Sequence, residues 1–147
     1  ISNLPYNISS QILIKLTLMN MIPKELILMF QKEFALKLLE NKLNSINSIV
    51  NCFYNISFKF HVSKNSFRPI PKVDSSVLKF KKLDTSLLKK NEVENFIFFK
   101  RYLFSHKRKS LKNLLKNYKL NGIYNLDRRA ESLKLEELIK IFREINL

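Results

Sequence analysis

A single glycine, Gly122, interrupts the 147 residues, and that scarcity limits what the backbone can do. Loops that wrap phosphates or nucleotides need several glycines close together, because the main chain must approach the ligand and adopt positive φ. Neither G-x-G nor G-x-x-x-x-G-K can be written anywhere in this sequence. A nucleotide-like cofactor would have to find most of its binding loop elsewhere. The chain is nonetheless 46% hydrophobic, enough to bury a core, and its length suits one ordinary domain or one with a small appendage.

Charge points to a partner. With 27 Lys and Arg against 12 Asp and Glu, the formal charge is +15, which favours a polyanion. The lone Cys52 excludes a disulfide framework, and two His leave little for a metal site. No apolar run approaches the ~18–20 residues of a membrane span. The opening ISNLPYN carries neither a basic leader nor a signal-peptide core.

The periodicities predict an α/β chain. Pro5 forces Leu4 into an extended conformation, so residues 1–6 read as a strand end running into a turn. Ser9 or Ser10 is placed to cap a helix carrying Ile12, Leu13, Leu16 and Met19. Leu26 to Phe30 is a continuous apolar run, as in a strand buried on both faces of a parallel sheet. A helix over Gln31–Glu40 follows, with Phe34, Ala35, Leu38 and Leu39 on one face. Phe58, Phe60 and Val62 alternate with polar residues, and so do Leu78 and Phe80, which predicts two strands forming an antiparallel edge. Asp84 to Asn91 is polar and marks a boundary, and beyond it the pattern is helical: Val93, Phe96, Ile97 and Phe104, then Leu111, Leu114, Leu115 and Tyr118, then, after a break at Asn121-Gly122, Leu135, Leu138, Ile139 and Phe142. Residues 1–84 are thus expected to form an α/β unit, and residues 85–147 a small all-α domain.

Three stretches are candidates for chemistry. Asn3-Leu4-Pro5-Tyr6 sits where open α/β sheets place their ligands, at a strand's C-terminal end. It offers an amide oxygen, rigid extended backbone carbonyls and a flat ring, a set that suits the exocyclic amine of a nucleobase. An ordinary strand-to-turn junction would look the same. Phe67 to Ser75 holds Pro69 and Pro71, which stiffen a connector that either presents Phe67 as a second aromatic wall or buries it. The third stretch is electrostatic: from Phe96 to Leu126 there are eight basic residues and no acid. Lys109, Lys112 and Lys116 fall opposite Leu111, Leu114, Leu115 and Tyr118 on a helical projection, giving one packing face and one cationic face that can follow a phosphate backbone. A solvated lysine stripe is the plainer alternative. His61, His106, Cys52, Lys32 and Glu33 read as structural, and Arg129 and Glu131 as contacts that lock the helices together.

The order of these motifs resembles one family. Asn3–Tyr6 with Asn7-Ile8-Ser9-Ser10, then Gln31-Lys32-Glu33, Phe67–Ser75, the run His106 to Asn113, and Arg129-Ala130-Glu131 follow each other as in the KsgA-type small-subunit rRNA adenine dimethyltransferases. The resemblance runs nearly end to end. It implies a partial Rossmann-like methyltransferase sheet, the C-terminal half of a catalytic domain over residues 1–84, followed by a helical rRNA-binding domain over residues 85–147. It implies S-adenosyl-L-methionine as methyl donor and two adjacent adenines of small-subunit rRNA as target. By motif match, Asn3, Leu4, Pro5, Tyr6 and Phe67 would be catalytic, with Asn3 and Pro5 also against the cofactor. Lys107, Arg108, Lys109, Lys112, Asn113 and Lys116 would contact RNA.

The same resemblance marks what the sequence lacks. Family members carry a Gly-rich loop and an acidic ribose-binding residue ahead of the motif at which this sequence opens. The chain alone is therefore expected to bind cofactor poorly. The expected partner is the immature small ribosomal subunit, the expected state a monomer without membrane attachment, and the expected compartment bacterial-type cytoplasm or an organelle. Three alternatives stay open: a non-catalytic rRNA-binding assembly factor, a mitochondrial transcription factor B-like relative, and an erythromycin-resistance-like relative. The complete Asn3–Tyr6 and Phe67–Ser75 motifs argue for retained catalysis, and the segment from His106 to Asn113 for the small-subunit branch.

Overall fold

The computed structural model describes residues 1–145; the last two residues of the expected helical domain lie outside them. Strands β1 (Ser2–Asn3), β2 (Glu25–Gln31), β3 (Tyr54–Val62) and β4 (Ser75–Lys82) form a mixed sheet in the order β1-β2-β4-β3. β1 pairs parallel to β2, with Asn3 opposite Met29, and β4 runs antiparallel to both β2 and β3. The registers Gln31↔Ser75 and Val62↔Ser75 bring the ends of β2 and β3 and the start of β4 to the edge where β1 finishes at Asn3. Both candidate motifs leave the sheet from that one edge.

Helix α1 (Ser9–Thr17) follows the β1 turn, and α2 (Lys32–Leu39) starts directly at the end of β2. Leu26, Leu28 and Phe30 are buried while Ile27 and Met29 are only half-buried. β2 is thus covered more fully on one face than the expected two-sided burial. Its covered face meets α2 through Ala35 and Leu38, with Phe30 against Phe34 and Phe80. Ser9 does not cap α1: Ile8 holds the cap position, and the Ser9 hydroxyl instead donates to the Tyr6 carbonyl. Met19 lies past the helix and is exposed.

β3 departs from simple alternation. Phe58 pairs with Leu78 and Phe60 with the neighbouring Val77, so Lys59 is an extra residue in a β-bulge. The bulge sends Phe58 and Phe60 to opposite faces, since consecutive residues of β4 point opposite ways. Phe58 shares its face with His61, their ring centroids 4.6 Å apart. Both Phe58 and Phe60 are exposed.

The remaining helices are α3 (Asn47–Val50), α4 (Val93–Ser105), α5 (Leu111–Leu114) and α6 (Leu135–Ile145). α5 is one turn, not the two that the leucine spacing suggests. In a longer helix the Leu114 carbonyl would accept from the Tyr118 N–H. Here it accepts from the Tyr102 hydroxyl at 3.1 Å, and the Tyr118 N–H turns to Leu115. Tyr118 is consequently exposed. Apart from Val77, the buried apolar residues form one uninterrupted cluster, from Leu4 and Leu13 through the sheet to Phe96, Leu111 and Phe142. α6 is further held by Arg143, whose guanidinium donates to both Glu92 carboxylate oxygens and to the Leu87 carbonyl.

Candidate functional site

Asn3 closes β1 and is exposed; Leu4 is buried and anchors the turn; Pro5 is exposed and Tyr6 half-buried. The chain then folds back tightly, with the Ile8 N–H donating to the Pro5 carbonyl. The Tyr6 hydroxyl shares a 2.5 Å hydrogen bond with Ser75 Oγ at the start of β4, fixing the ring plane. The Asn3 side chain makes no hydrogen bond within the described residues, so its amide is available to a ligand.

The connector from β3 to β4 is held at several points. The Asp74 carboxylate accepts from the Lys64 N–H, and the Asp74 carbonyl accepts from the Lys32 N–H at the head of α2. The Arg68 guanidinium donates to the Asn65 and Phe67 carbonyls, and the Arg68–Pro69 peptide is cis. So held, the connector stands opposite the first motif. Asn3, Leu4, Pro5 and Tyr6 on one side and Phe67, Arg68, Pro69 and Pro71 on the other line one open pocket of about 230 Å³. That volume is below the ~300–1,000 Å³ of sites enclosing drug-sized ligands and suits a single flat heterocycle. Among the described residues no carboxylate, histidine or lysine lines it. Chemistry there rests on placement and hydrogen bonding, with no side chain suited to act as general base at neutral pH.

Arg68 and Ser75 belong to the Phe67–Ser75 motif, and periodicity and composition give neither a role. Arg68 adds a fixed positive charge to the pocket wall, and Ser75 orients Tyr6. A cation set between an aromatic and a proline was the available signal. Gly122 has no part in a cradle. A β-carbon there would come within 2.5–2.7 Å of the Tyr124 ring, whose hydroxyl donates to Glu144. Its conservation of space serves packing. Asn3 and Pro5, the two residues that the family resemblance sets against S-adenosyl-L-methionine, both line this pocket and offer it an amide and a rigid backbone.

The second region is cationic. Lys107, Arg108 and Lys109 form the turn between α4 and α5, and with Lys112, Asn113 and Lys116 they are all exposed. The turn is pinned from below: Leu111 and Lys112 donate their N–H groups to the Arg128 and Leu126 carbonyls, and the Lys109 N–H donates to the His106 carbonyl. Lys100, one of the eight cations in this stretch, does not join them. It is 7% exposed, and its ammonium donates to the carbonyl and hydroxyl of Ser45. Burial pushes its pKa down to about 8, with Arg101 adding to the effect and Cys52 opposing it. Arg129 is exposed, and its neighbour Arg128 makes the ion pair, to Glu137. Glu131 ties the helices to the rest through its backbone carbonyl, which accepts from the Leu43 N–H. Cys52 is fully buried, and burial raises its thiol pKa to about 12. Among the described residues no cluster could hold a metal, and no helix is long and apolar enough to cross a membrane.

A family model described as ribosomal RNA adenine dimethylase matches residues 1–146. The ribosomal RNA small subunit methyltransferase A of Mycoplasma mycoides is 35% identical over 158 residues, which cover 97% of this chain and 59% of that protein. The protein of the same name from Mycoplasmopsis pulmonis is 37% identical over 161 residues, covering 99% and 62%. Among solved structures, a dimethyladenosine transferase from Plasmodium falciparum matches with a TM-score of 0.84 at 27% identity, over 98% of this chain and 65% of that one. The 23S rRNA methyltransferase ErmE shares the fold, with a TM-score of 0.72 at 18% identity. The chain spans about three-fifths of the length of the curated relatives it matches. A match to the family model over nearly every residue, together with relatives more than a third identical, means that the chain belongs to the ribosomal RNA adenine dimethylase family.

Proposed function

We propose that this chain is the target-base and rRNA-binding part of an enzyme that dimethylates two adjacent adenines of small-subunit rRNA during ribosome maturation. Residues 1–84 form the C-terminal half of a Rossmann-like catalytic domain in this reading, and residues 85–147 a helical rRNA-binding domain. The observation that carries it is the meeting of Asn3–Tyr6 with Phe67–Pro71 in one pocket sized for a single base.

Enzymes that modify bases take the base out of its stack and hold it in such a pocket. The amine of adenine is a poor nucleophile because its lone pair is delocalised into the ring. The Asn3 amide oxygen and the Leu4 carbonyl accept the amine hydrogens, which favours a pyramidal nitrogen and turns its lone pair out of the ring plane. Tyr6 and Phe67 hold the plane by stacking, worth ~1–3 kcal/mol per base. S-adenosyl-L-methionine supplies the electrophilic methyl when bound, and Asn3 and Pro5 are the residues of this chain that would touch its methionine end. Acceleration comes from positioning two reactants. Lys107, Arg108, Lys109, Lys112, Asn113 and Lys116 hold the RNA by phosphates and shape, not by base sequence.

In the intact enzyme carrying this chain, Asn3→Ala is expected to abolish methylation of immature small subunits while leaving RNA affinity nearly unchanged. Equal loss of both would refute the assignment.

A further inference from the structure

α4 exposes an aromatic face that the fold does not use. Phe98 is 62% exposed and Tyr102, one turn later on the same side, 44% exposed; Arg101, between them, is also exposed. Leaving a phenylalanine so open forfeits apolar burial that the neighbouring Phe96, fully buried, obtains. Tyr102 is open but not loose. Its hydroxyl donates to the Leu114 carbonyl at 3.1 Å, and its ring meets His106 edge-on at 5.2 Å. The His106 ring is in turn tied through Nδ1 to the Tyr102 carbonyl and to the Ser105 hydroxyl. An aromatic ring fixed this way loses little rotamer entropy when something stacks on it. The same contacts place it directly beside the Lys107–Lys109 turn and α5.

We infer that Phe98 and Tyr102 form a stacking platform for an unpaired base of the RNA whose phosphates lie along Lys107 to Lys116. The inference rests on the reading of that basic stretch as an RNA-contacting surface, and it adds a base-holding element separate from the target pocket. Charge decides the occupant. The platform is flanked by Arg101 on its own helix and by the basic turn at its end; Glu94, one turn before Phe98, is the exposed acid of that helix, and residues 96 to 126 contain none. An acidic polymer with exposed π-faces complements both features, and a single-stranded or looped RNA is one. Arg101 can cover the free face of a stacked base through its planar guanidinium.

The test uses the chain with a hairpin RNA whose loop carries 2-aminopurine, a base whose fluorescence is quenched on stacking. Phe98→Leu and Tyr102→Leu remove the ring faces and keep apolar bulk; Tyr102→Leu also frees the Leu114 carbonyl at the end of α5, so Phe98→Leu alone is measured as the variant that leaves that bond in place, and thermal melting checks both. The double variant is expected to lose roughly 5- to 100-fold in affinity, to abolish the bound-state quenching, and to leave the dependence of log affinity on log salt unchanged, because a neutral ring releases no counterions. Phe98→Tyr, which keeps a ring at that position, should bind as the unaltered chain does. Unchanged affinity and quenching in the double variant, with Lys107, Arg108 and Lys109 charge reversal still weakening binding, would overturn the platform and leave the basic surface standing. If neither set of changes alters RNA binding, the RNA reading of this whole face fails. Loss of a protein contact on the small subunit with RNA affinity intact would reassign the platform to a protein partner and overturn the inference.

Discussion

Replacing Lys107, Arg108 and Lys109 together by Gln removes three exposed cations from the turn between α4 and α5 without touching the buried side chains beneath it. Between Lys107 and Lys116, the stretch assigned to RNA, five exposed cations are available to phosphates: these three with Lys112 and Lys116. Lys100 lies outside that stretch, its ammonium held by Ser45, and Arg101 and Lys119 flank the stretch on either side. If each cation engages one phosphate, log affinity falls with log salt with a slope of about −4.5, and binding weakens ~500-fold between about 50 and 200 mM salt. The triple variant keeps two contacts, a slope of about −1.8 and a loss of only ~10-fold over the same interval. Anisotropy titrations of a labelled rRNA hairpin at several salt concentrations read both slopes directly. A charge-matched control, Lys15, Lys90 and Lys140 to Gln, changes net charge equally at exposed positions elsewhere. An unchanged slope in the turn variant, or an equal flattening in the control, would refute a localised phosphate surface and leave only diffuse attraction.

Tyr6→Phe keeps the ring and deletes the bond to Ser75, a net ~0.5–1.5 kcal/mol; the melting temperature should fall by a few degrees, and methylation by the intact enzyme far less than in Tyr6→Ala. Equal damage from both variants would show that the hydroxyl matters and not the ring. Arg143 holds the Glu92 carboxyl down to about 2 from an ordinary 4.5. A lowered carboxyl pKa stabilises the fold above the ordinary value, and that stability is lost as pH falls from there through about 2. Arg143→Gln should therefore cost ~1 kcal/mol at neutral pH after solvent screening and flatten the acid loss in urea titrations; identical acid profiles would contradict this. Lys100 has the opposite sign. Its pKa is lowered from 10.5 to about 8, so the folded state carries the full cost of the buried ammonium below pH 8 and sheds it as pH rises toward 10.5. Lys100→Met should abolish that alkaline gain of about 3 kcal/mol, and parallel stability profiles for the two proteins would exclude it.

The periodicities specified most of the elements, and the reasons for the misses are local. β2, α2, β4, α4 and α6 appear where apolar spacing put them, since each buries a face that its own residues define. Phe58 and Phe60 misled because strict alternation assumes an unbroken ladder, and nothing within residues 58–62 announces the extra residue at Lys59. The Leu111–Tyr118 spacing overshot because the carbonyl needed to extend the helix is taken by Tyr102, twelve positions upstream. Lys100 counted as a surface cation since its acceptor, Ser45, is 55 residues away in sequence. The pocket was legible in its parts, as an amide, a proline and two rings. Its closure was not, because that depends on Ser75 and Asp74 fastening the connector to a turn and a helix far from it in the chain.

The uninterrupted core fixes the spacing of the pocket and the basic turn. Because Leu4 beneath the pocket and Leu111 beneath the basic turn belong to the same packed interior, the two regions cannot drift apart without opening it. Under the proposed function the interval between them works as a gauge. An RNA would meet both ends only if its own tertiary shape offered an extruded purine at that distance from a run of phosphates, so a helix of the right sequence in the wrong three-dimensional setting would be passed over.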